Sequence, residues 1–233
     1  MRIAIISDIH SNLAALQCVF SYIDTAGVDK IYCLGDTVGY GPYPNECIEL
    51  VNSRCHIVIA GNHDWGAAGK LQLRYFNKFG RITLRWTRKR MSEENRKTLL
   101  PLPLKIVEDT ITFVHSSPMM PENWTYIVSE LEAREAFRGF DTELCFTGHT
   151  HIPALIGEDG QANCLTDDKR FLINVGSVGQ PRDGNPKTSF GILDISKRSY
   201  NLVRLEYDIQ HTYDAINKFG LPQMLGRRLK DGF

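Results

Sequence analysis

The sequence predicts an α/β protein whose strands form a mixed sheet or two packed sheets. Three observations carry that expectation. Apolar runs at residues 3–6, 30–34 and 56–60 alternate with longer amphipathic stretches, so the chain opens as strand, helix, strand, helix, strand. Polar or glycine residues follow each run, at Asp8, Gly35-Asp36 and Gly61-Asn62-His63-Asp64, and ligands of open α/β sheets bind at that carboxyl edge. Beyond residue 100 the strand signals follow one another through turns, which adds antiparallel pairs to the parallel ones.

Each element has its own signal. The helix expected over 13–26 stops at Gly27, and Pro42 and Pro44 set the start of a short helix over 45–51. From 71 to 100 the pattern is helical, with Tyr75, Phe79, Ile82 and Trp86 spaced 4, 3, 4 on one apolar face, and Pro101 and Pro103 end it. Strands are expected at 105–107 and 110–114 around the turn at Glu108-Asp109, then near 144–147, 154–157, 171–175, 190–195 and 199–206. Helices are expected over 129–137 and 208–219, and the tail after Pro222 is expected to be poorly ordered. No repeat or low-complexity linker divides the chain. Residues 1–233 are therefore expected to form a single domain, with a helical cap segment at about 71–100.

Composition excludes several classes. With 233 residues, 42% hydrophobic and 23% charged, the chain can bury a substantial core and is neither collagen-like nor disordered. The apolar start turns polar at Ser7 and Asp8, short of the roughly 7–15 apolar residues of a secretory signal. No run approaches the roughly 18 apolar residues of a membrane helix, so a cytoplasmic protein without a membrane partner is expected. The six cysteines include no C-x-x-C pair and are expected to be reduced and structural.

Five short segments, each closing an expected strand, carry the chemistry: Asp8-Ile9-His10, Gly35-Asp36, Gly61-Asn62-His63-Asp64, His115, and Gly148-His149-Thr150-His151. Asp8, Asp36, Asn62 and five imidazoles would meet at one sheet edge. That mixture suits a pair of divalent ions, since imidazole favours Mn, Fe, Zn or Ni and a carboxylate can bridge two of them. In Asp8-x-His10 and His149-x-His151 an extended backbone would turn both side chains of each pair to one face.

The ordered series D-x-H, G-D, G-N-H-D, H, G-H-x-H resembles the calcineurin-like metallophosphoesterase family. Gly39-Tyr40-Gly41-Pro42, Trp86-Thr87-Arg88 and the run from Asn174 to Arg182 (Asn-Val-Gly-Ser-Val-Gly-Gln-Pro-Arg) are similar to its compact prokaryotic phosphodiesterase/phosphoesterase branch. The resemblance implies a four-layer αββα sandwich, two mixed β-sheets flanked by helices. It also implies that Asp8, His10 and His151 hold one metal, that Asn62, His115 and His149 hold the second, and that Asp36 bridges both. Two divalent ions, Mn favoured, would then supply a bridging hydroxide for in-line attack on a phosphodiester or nucleotide-type phosphate ester. Asp36 and His63 are the implied catalytic residues, and Asn62, His63 and Arg182 the implied substrate contacts, His63 serving the leaving oxygen.

Departures from the family pattern narrow the reading. The serine/threonine protein phosphatases carry Asp and Arg in G-D-x-x-D-R-G, where Gly39 and Tyr40 stand in this chain. That change removes a partner for His63 and a phosphate-binding arginine, which disfavours a protein phosphatase. Ser11 stands where many relatives have Gly after D-x-H, a minor change. The other class to weigh is a non-catalytic scaffold of the same fold, as in a retromer subunit, but such scaffolds lose the histidine that His63 matches.

Further candidates have plainer readings beside them. Arg74, Lys78, Arg81, Arg85 and Arg88 recur at 4, 3, 4, 3 spacing, and residues 74–97 hold nine basic against two acidic side chains. They form either a solvated face or a basic cap that steers small phosphate-rich substrates; nucleic acid is disfavoured because the footprint is one helix face. Trp124 and Tyr126 are either core or a stacking platform for a base. Arg182 either holds a phosphate or pairs with Asp183. The run Cys164 to Arg170 reads C-x5-R, but its two aspartates would repel the anion that a cysteine phosphatase loop cradles. His56 and His211 are read as structural, and an oligomer is left open, since aromatics of the 71–100 segment could serve a dimer.

Overall fold

The computed structural model describes residues 1–166 and 168–233. Its elements run β1 (Arg2–Ile6), α1 (Leu13–Thr25), β2 (Lys30–Cys33), α2 (Pro44–Arg54), β3 (Ile57–Val58), α3 (Asn62–Ala68), α4 (Lys78–Arg90), α5 (Glu93–Leu99), β4 (Lys105–Glu108), β5 (Ile111–Val114) and α6 (Glu130–Phe137). They continue through β6 (Leu144–Thr147), β7 (Ala154–Gly157), β8 (Gly160–Gln161), β9 (Phe171–Asn174), β10 (Thr188–Asp194), β11 (Ser199–Leu205), α7 (Ile209–Lys218) and α8 (Gln223–Asp231). One sheet has the order β11-β10-β1-β2-β3 and the other β4-β5-β6-β9-β7-β8. Both are mixed: β1 is parallel to β2 and antiparallel to β10, and β9 is parallel to β6 and antiparallel to β7.

Strand alternation builds the layers. Ile3 and Ile5 of β1 point between the sheets, where they join Tyr32, Phe113, Phe146, Phe171 and Ile173 in a shared core. Ala4 and Ile6, one residue out of phase, face Leu16, Val19, Phe20 and Ile23 of α1. Asn12 caps that helix by accepting from Ala15 N–H at 3.3 Å. Across the molecule Val114, Cys145 and Leu172 pack on Ala133, Ala136 and Phe137 of α6. The result is the four-layer αββα arrangement, in which each large apolar side chain buried stabilises by about 1.5–3 kcal/mol.

The structure corrects the sequence reading at three places. Gly61-Asn62-His63-Asp64, expected to be a strand-end loop, is the start of α3: Asp64 reaches back to accept from Gly61 N–H at 3.0 Å, as a capping residue does. The segment 71–100 is a 3₁₀ turn at Leu73–Tyr75 followed by two helices, because Ser92 caps a new helix by accepting from Asn95 N–H at 3.1 Å. The expected apolar face is also rotated. Tyr75 is 66% and Ile82 39% exposed, while α4 buries Gly80, Thr83, Leu84 and Thr87. Gly66 of α3 makes this packing feasible, since a Cβ there would lie 2.8 Å from Phe76 and 2.9 Å from Leu84. Phe79 and Trp86 turn instead toward Ile216, Leu225 and Leu229. Finally, the tail after Pro222 is the helix α8, ordered by burying Leu225 and Leu229 against that cluster.

Candidate metal centre

The loops leaving β1, β2, β5 and β6 meet at one edge of the sandwich and are laced together by main-chain hydrogen bonds. Asp8 N–H donates to Gly35 O (3.0 Å), His10 N–H to Asp36 O (2.9 Å), Gly148 N–H to His115 O (2.9 Å) and Gly179 N–H to Asp8 O (2.9 Å). Gly35 and Gly61 are required where two loops touch: a Cβ on Gly35 would lie 2.3 Å from Gly61 N, and one on Gly61 2.0 Å from Asp36 Oδ1. Asp8, His10, Asp36, His149 and His151 all hold left-handed backbone, with φ between 50° and 65°, so the extended backbone expected of Asp8-x-His10 and His149-x-His151 is not what brings each pair together. Such conformations cost on the order of 1 kcal/mol or more each and persist only where surrounding structure imposes them.

Asp8, His10, Asp36, His63, His115, His149 and His151 are buried and converge. The side chains group as Asp8, His10 and His151; as His10, Asp36 and His63; and as Asp36, His115 and His149, with ligand atoms inside each group within 4.8 Å. Asp36 Oδ2 lies 3.6 Å from His10 Nε2 and 3.4 Å from His115 Nε2, so it reaches both imidazole pairs. Asp8 Oδ1 lies 3.2 Å from His151 Nε2. Asn62, the first residue of α3, brings a buried Oδ1.

The imidazoles are oriented by main-chain carbonyls. His10 Nδ1 faces Val38 O (3.1 Å), His151 Nδ1 faces Gln180 O (2.6 Å), His115 Nδ1 faces Leu34 O (2.8 Å) and His149 Nε2 faces Trp124 O (2.9 Å). A carbonyl only accepts, so each of these outer nitrogens donates and the inner nitrogen of a neutral ring presents a lone pair. The inner nitrogens then face one another, His10 Nε2 to His151 Nε2 at 3.0 Å and His115 Nε2 to His149 Nδ1 at 3.1 Å. Asp8 Oδ1 is buried beside them, and Asn62 Oδ1 is buried too, each without a hydrogen-bond donor. Lone pairs and carboxylate oxygens packed together repel, and the arrangement is favourable only where a proton or a metal ion sits between them. Imidazole, carboxylate and amide donors in this number fit divalent ions.

Electrostatics agree. Burial would raise both carboxyls, but His151 and His115 hold Asp8 below the usual range, and His115 and His63 do the same for Asp36. Burial opposes charge on His115, yet Asp36 and Asp8 push it up to about 9, so the pocket draws positive charge. Burial lowers His149 to about 3 and His63 to about 4. Asp64, desolvated and repelled by Asp36, rises to about 7; its oxygens accept from Gly61 N–H and Val38 N–H and take no part in the converging groups.

His63 is buried beside His10 and Asp36. Its N–H donates to Asp36 Oδ1 at 2.8 Å, its ring packs 4.6 Å from Tyr40 and 5.0 Å from Phe76, and its Nδ1 has no hydrogen-bond partner. Gly39 presses on that nitrogen, where a Cβ would lie 2.3 Å away, so no side chain at 39 has room there. Tyr126 stacks on His149 with ring centroids 4.0 Å apart and carries the exposed side of the platform, whereas Trp124 contributes its carbonyl and packs against Trp65. Sequence reasoning missed Phe76, Gln180 and Asp64. Phe76 was masked by its neighbour Tyr75 in the assumed stripe, and Gln180 acts through its main chain.

A family model described as the calcineurin-like phosphoesterase superfamily domain matches residues 1–198. The chain belongs to this phosphoesterase superfamily. Among relatives, an uncharacterised protein of Methanocaldococcus jannaschii is 46% identical over 237 residues, covering 97% of this chain and 96% of its own. A crystal structure of a metallophosphoesterase from Sphaerobacter thermophilus superposes with a TM-score of 0.90 at 42% identity, covering 100% of this chain and 99% of that one. The phosphodiesterase YfcE of Escherichia coli is 24% identical over 202 residues, 83% of this chain and 88% of its own. No described helix is long and apolar enough to cross a membrane.

Outside the pocket, three candidates resolve. Asp183 pairs with Arg204, which leaves Arg182 free of its sequence neighbour. Arg88 turns inward and donates to Gly66 O (2.8 Å), so it leaves the cationic face, while Arg74, Lys78, Arg81 and Arg85 line a surface cleft of about 380 Å³ with Leu73 and Ile82. Arg170 is engaged by Glu158 and by Phe137 O (3.2 Å), and Cys164 is exposed, so the C-x5-R run forms no cradle among the described residues; its Asp167 lies outside them.

Proposed function

We propose that this chain is a metal-dependent phosphoesterase acting at two divalent ions on phosphodiester or nucleotide-type small molecules. The observation that carries the reading is the two pairs of facing imidazole nitrogens with Asp36 reaching both. Asp8, His10 and His151 would hold one ion, Asn62, His115 and His149 the other, and Asp36 both; the donor set suits Mn, Fe, Zn or Ni, with Mn favoured. When bound, such ions acidify water and offset the charge on phosphoryl oxygens.

The chain's own residues do the rest. Asp36 fixes the backbone of His63, and Tyr40 and Phe76 hold its ring, so that a neutral imidazole can donate a hydrogen bond to the departing oxygen. Tyr126 offers a flat face at the mouth for a base or sugar. Cys33, Cys47 and Cys145, buried as thiols, suit a reducing cytoplasm. Because the position of Gly39 excludes a carboxylate partner for His63, the protein-phosphatase alternative is weakened, and the presence of His63 itself weighs against a scaffold.

The test is turnover of an aryl phosphodiester and an aryl phosphomonoester by purified protein with Mn²⁺. Asp36→Ala and Asn62→Ala should abolish it. Unchanged turnover in either variant, or none by the wild type with any of the four metals, overturns the proposal.

A further inference from the structure

The C-terminal helix brings a second arginine to the mouth of the pocket. Leu225 and Leu229 of α8 are buried in one cluster with Tyr40, whose ring lies 4.8 Å from that of His10 and 4.6 Å from that of His63. Gly232, at the end of α8, accepts from Gly184 N–H at 2.9 Å and so ties the helix to the loop carrying Arg182. Arg182 lies over the Tyr40 ring, 5.8 Å from its centroid, and its Nη2 donates to Gln180 Oε1 at 2.9 Å. Its Nε is buried and has no partner. Arg228 lies between Leu225 and Leu229 in the sequence of α8 and is half-buried, and its carbonyl accepts from the N–H of the same Gly232 at 2.8 Å; Arg182 and Tyr40 both act on its charge.

Neither guanidinium has a counter-ion among the described residues. Among the described residues no carboxylate lies within 4.0 Å of Arg182 or Arg228, and the adjacent Asp183 is committed to Arg204. Burial, and then repulsion by Arg182, lowers Arg228 below the ordinary guanidinium range. Two like charges partly removed from water are costly together unless an anion joins them, and a pair of arginine forks matches the oxygens of a phosphate. Arg182 N–H donates to His151 O at 3.3 Å, and its guanidinium lies over the Tyr40 ring that packs on His63, so the position borders the pocket beside His63.

We propose that Arg182 and Arg228 form an anion subsite for a second phosphate, carried by the leaving group of the substrate. This rests on the phosphoesterase reading and names its substrate class: molecules in which the ester or anhydride oxygen that departs belongs to a phosphate-bearing fragment. In the balanced hydrolysis, the oxygen of water bonds to the scissile phosphorus and the bond from phosphorus to the leaving oxygen breaks. The electron pair of that bond and one proton of the water go to the released fragment. The other proton remains with the new phosphate. Arg228 is a specificity residue and touches only the anion.

The experiment compares a symmetrical dinucleoside diphosphate, whose leaving group is a nucleotide, with a bis-aryl phosphodiester, whose leaving group carries no phosphate. Wild type should turn over both. In Arg228→Met the ratio of kcat/KM for the two should fall about tenfold or more, mainly through KM, as expected for loss of a charge-assisted contact. Arg228→Lys should recover part of it. Independently, metal-stripped wild type should bind inorganic pyrophosphate in a calorimetric titration, about tenfold more tightly than Arg228→Met or Arg182→Met. A ratio and a pyrophosphate affinity within about twofold of wild type in these variants overturn the subsite, as does wild type that cleaves the aryl diester but never the dinucleoside diphosphate. If Arg228→Met loses helical signal, Arg228→Lys and Arg182→Met decide. Absence of all turnover with retained, arginine-dependent pyrophosphate binding would instead overturn the phosphoesterase reading and leave the subsite standing.

Discussion

The pocket at the sheet edge and the outer face of α4 are both crowded with ionisable side chains, and they are built in opposite ways. In the pocket His10, His115, His149 and His151 are buried and each pinned by a carbonyl, and the carboxylates are held by N–H and O–H groups, as when Asp8 Oδ2 accepts from His149 N–H at 2.9 Å and from the Ser7 hydroxyl at 2.7 Å. On α4 and the 3₁₀ turn before it, Arg74, Lys78, Arg81 and Arg85 surround the open cleft exposed to solvent, and none lies within 4.0 Å of a carboxylate among the described residues. Charges fixed in a low-dielectric pocket act one by one, through geometry. Charges on a solvated face act together, through their summed field, and salt weakens them.

The contrast can be broken at several points. Asp8→Asn should give the largest effect, a loss of about a thousandfold in turnover, since metal stabilisation of the transition state is worth several kcal/mol. It should also remove one metal equivalent, measured by atomic emission after dialysis; full metal content would contradict the pinned-ligand picture. Next, metal-free protein supplied with Mn²⁺ at 100 times its Kd should gain about 2.7 kcal/mol in stability, read as a higher Tm. Gly148→Ala should cost about 1–3 kcal/mol, because its Cβ would lie 2.0 Å from Ser7 Oγ and 2.4 Å from Asp8 Oδ2. An unchanged Tm there would mean that the loops are softer than they look.

Proton linkage sharpens the same comparison. His115, held up to about 9 without a metal, is protonated at neutral pH and must give up that proton to coordinate. Metal affinity should therefore fall as pH drops from 8 to 6, and calorimetric heats at pH 7 should differ between buffers of different ionisation enthalpy. Equal heats would show that no proton leaves. The smallest effect belongs to α4: Arg81→Glu with Arg85→Glu should raise KM for multiply charged substrates a few-fold in low salt and not in high salt. A salt-independent change would assign those arginines to direct contact.

Much of the pocket was legible in the sequence because its ligands sit where strands end, and strand ends are marked by the switch from apolar runs to Asp8, Asp36 and His115. The layers were legible for the same reason, since Ile3 to Ile6 can only be a strand buried on both faces. The supports were not legible. Val38, Leu34, Trp124 and Gln180 act through main-chain oxygens that any residue would supply. The buried side of α4 was hidden because Gly80, Thr83 and Thr87 read as polar, although the Thr83 hydroxyl is satisfied by Phe79 O at 2.9 Å. The last helix was hidden because two leucines among charges are too few for a periodic signal, and Arg228 acquires meaning only beside Tyr40, far away in the chain.

Main-chain carbonyls as the anchors of all four facing imidazoles have a consequence for how such a protein can change over generations. A point substitution at Val38, Leu34, Trp124 or Gln180 replaces a side chain and leaves the acceptor oxygen in place. The metal-facing chemistry is thus insulated from most single mutations in its own support, while Tyr126, Arg182 and Arg228, which reach outward through side chains, are open to variation. A lineage can explore new substrates at the mouth without first dismantling the centre that would act on them.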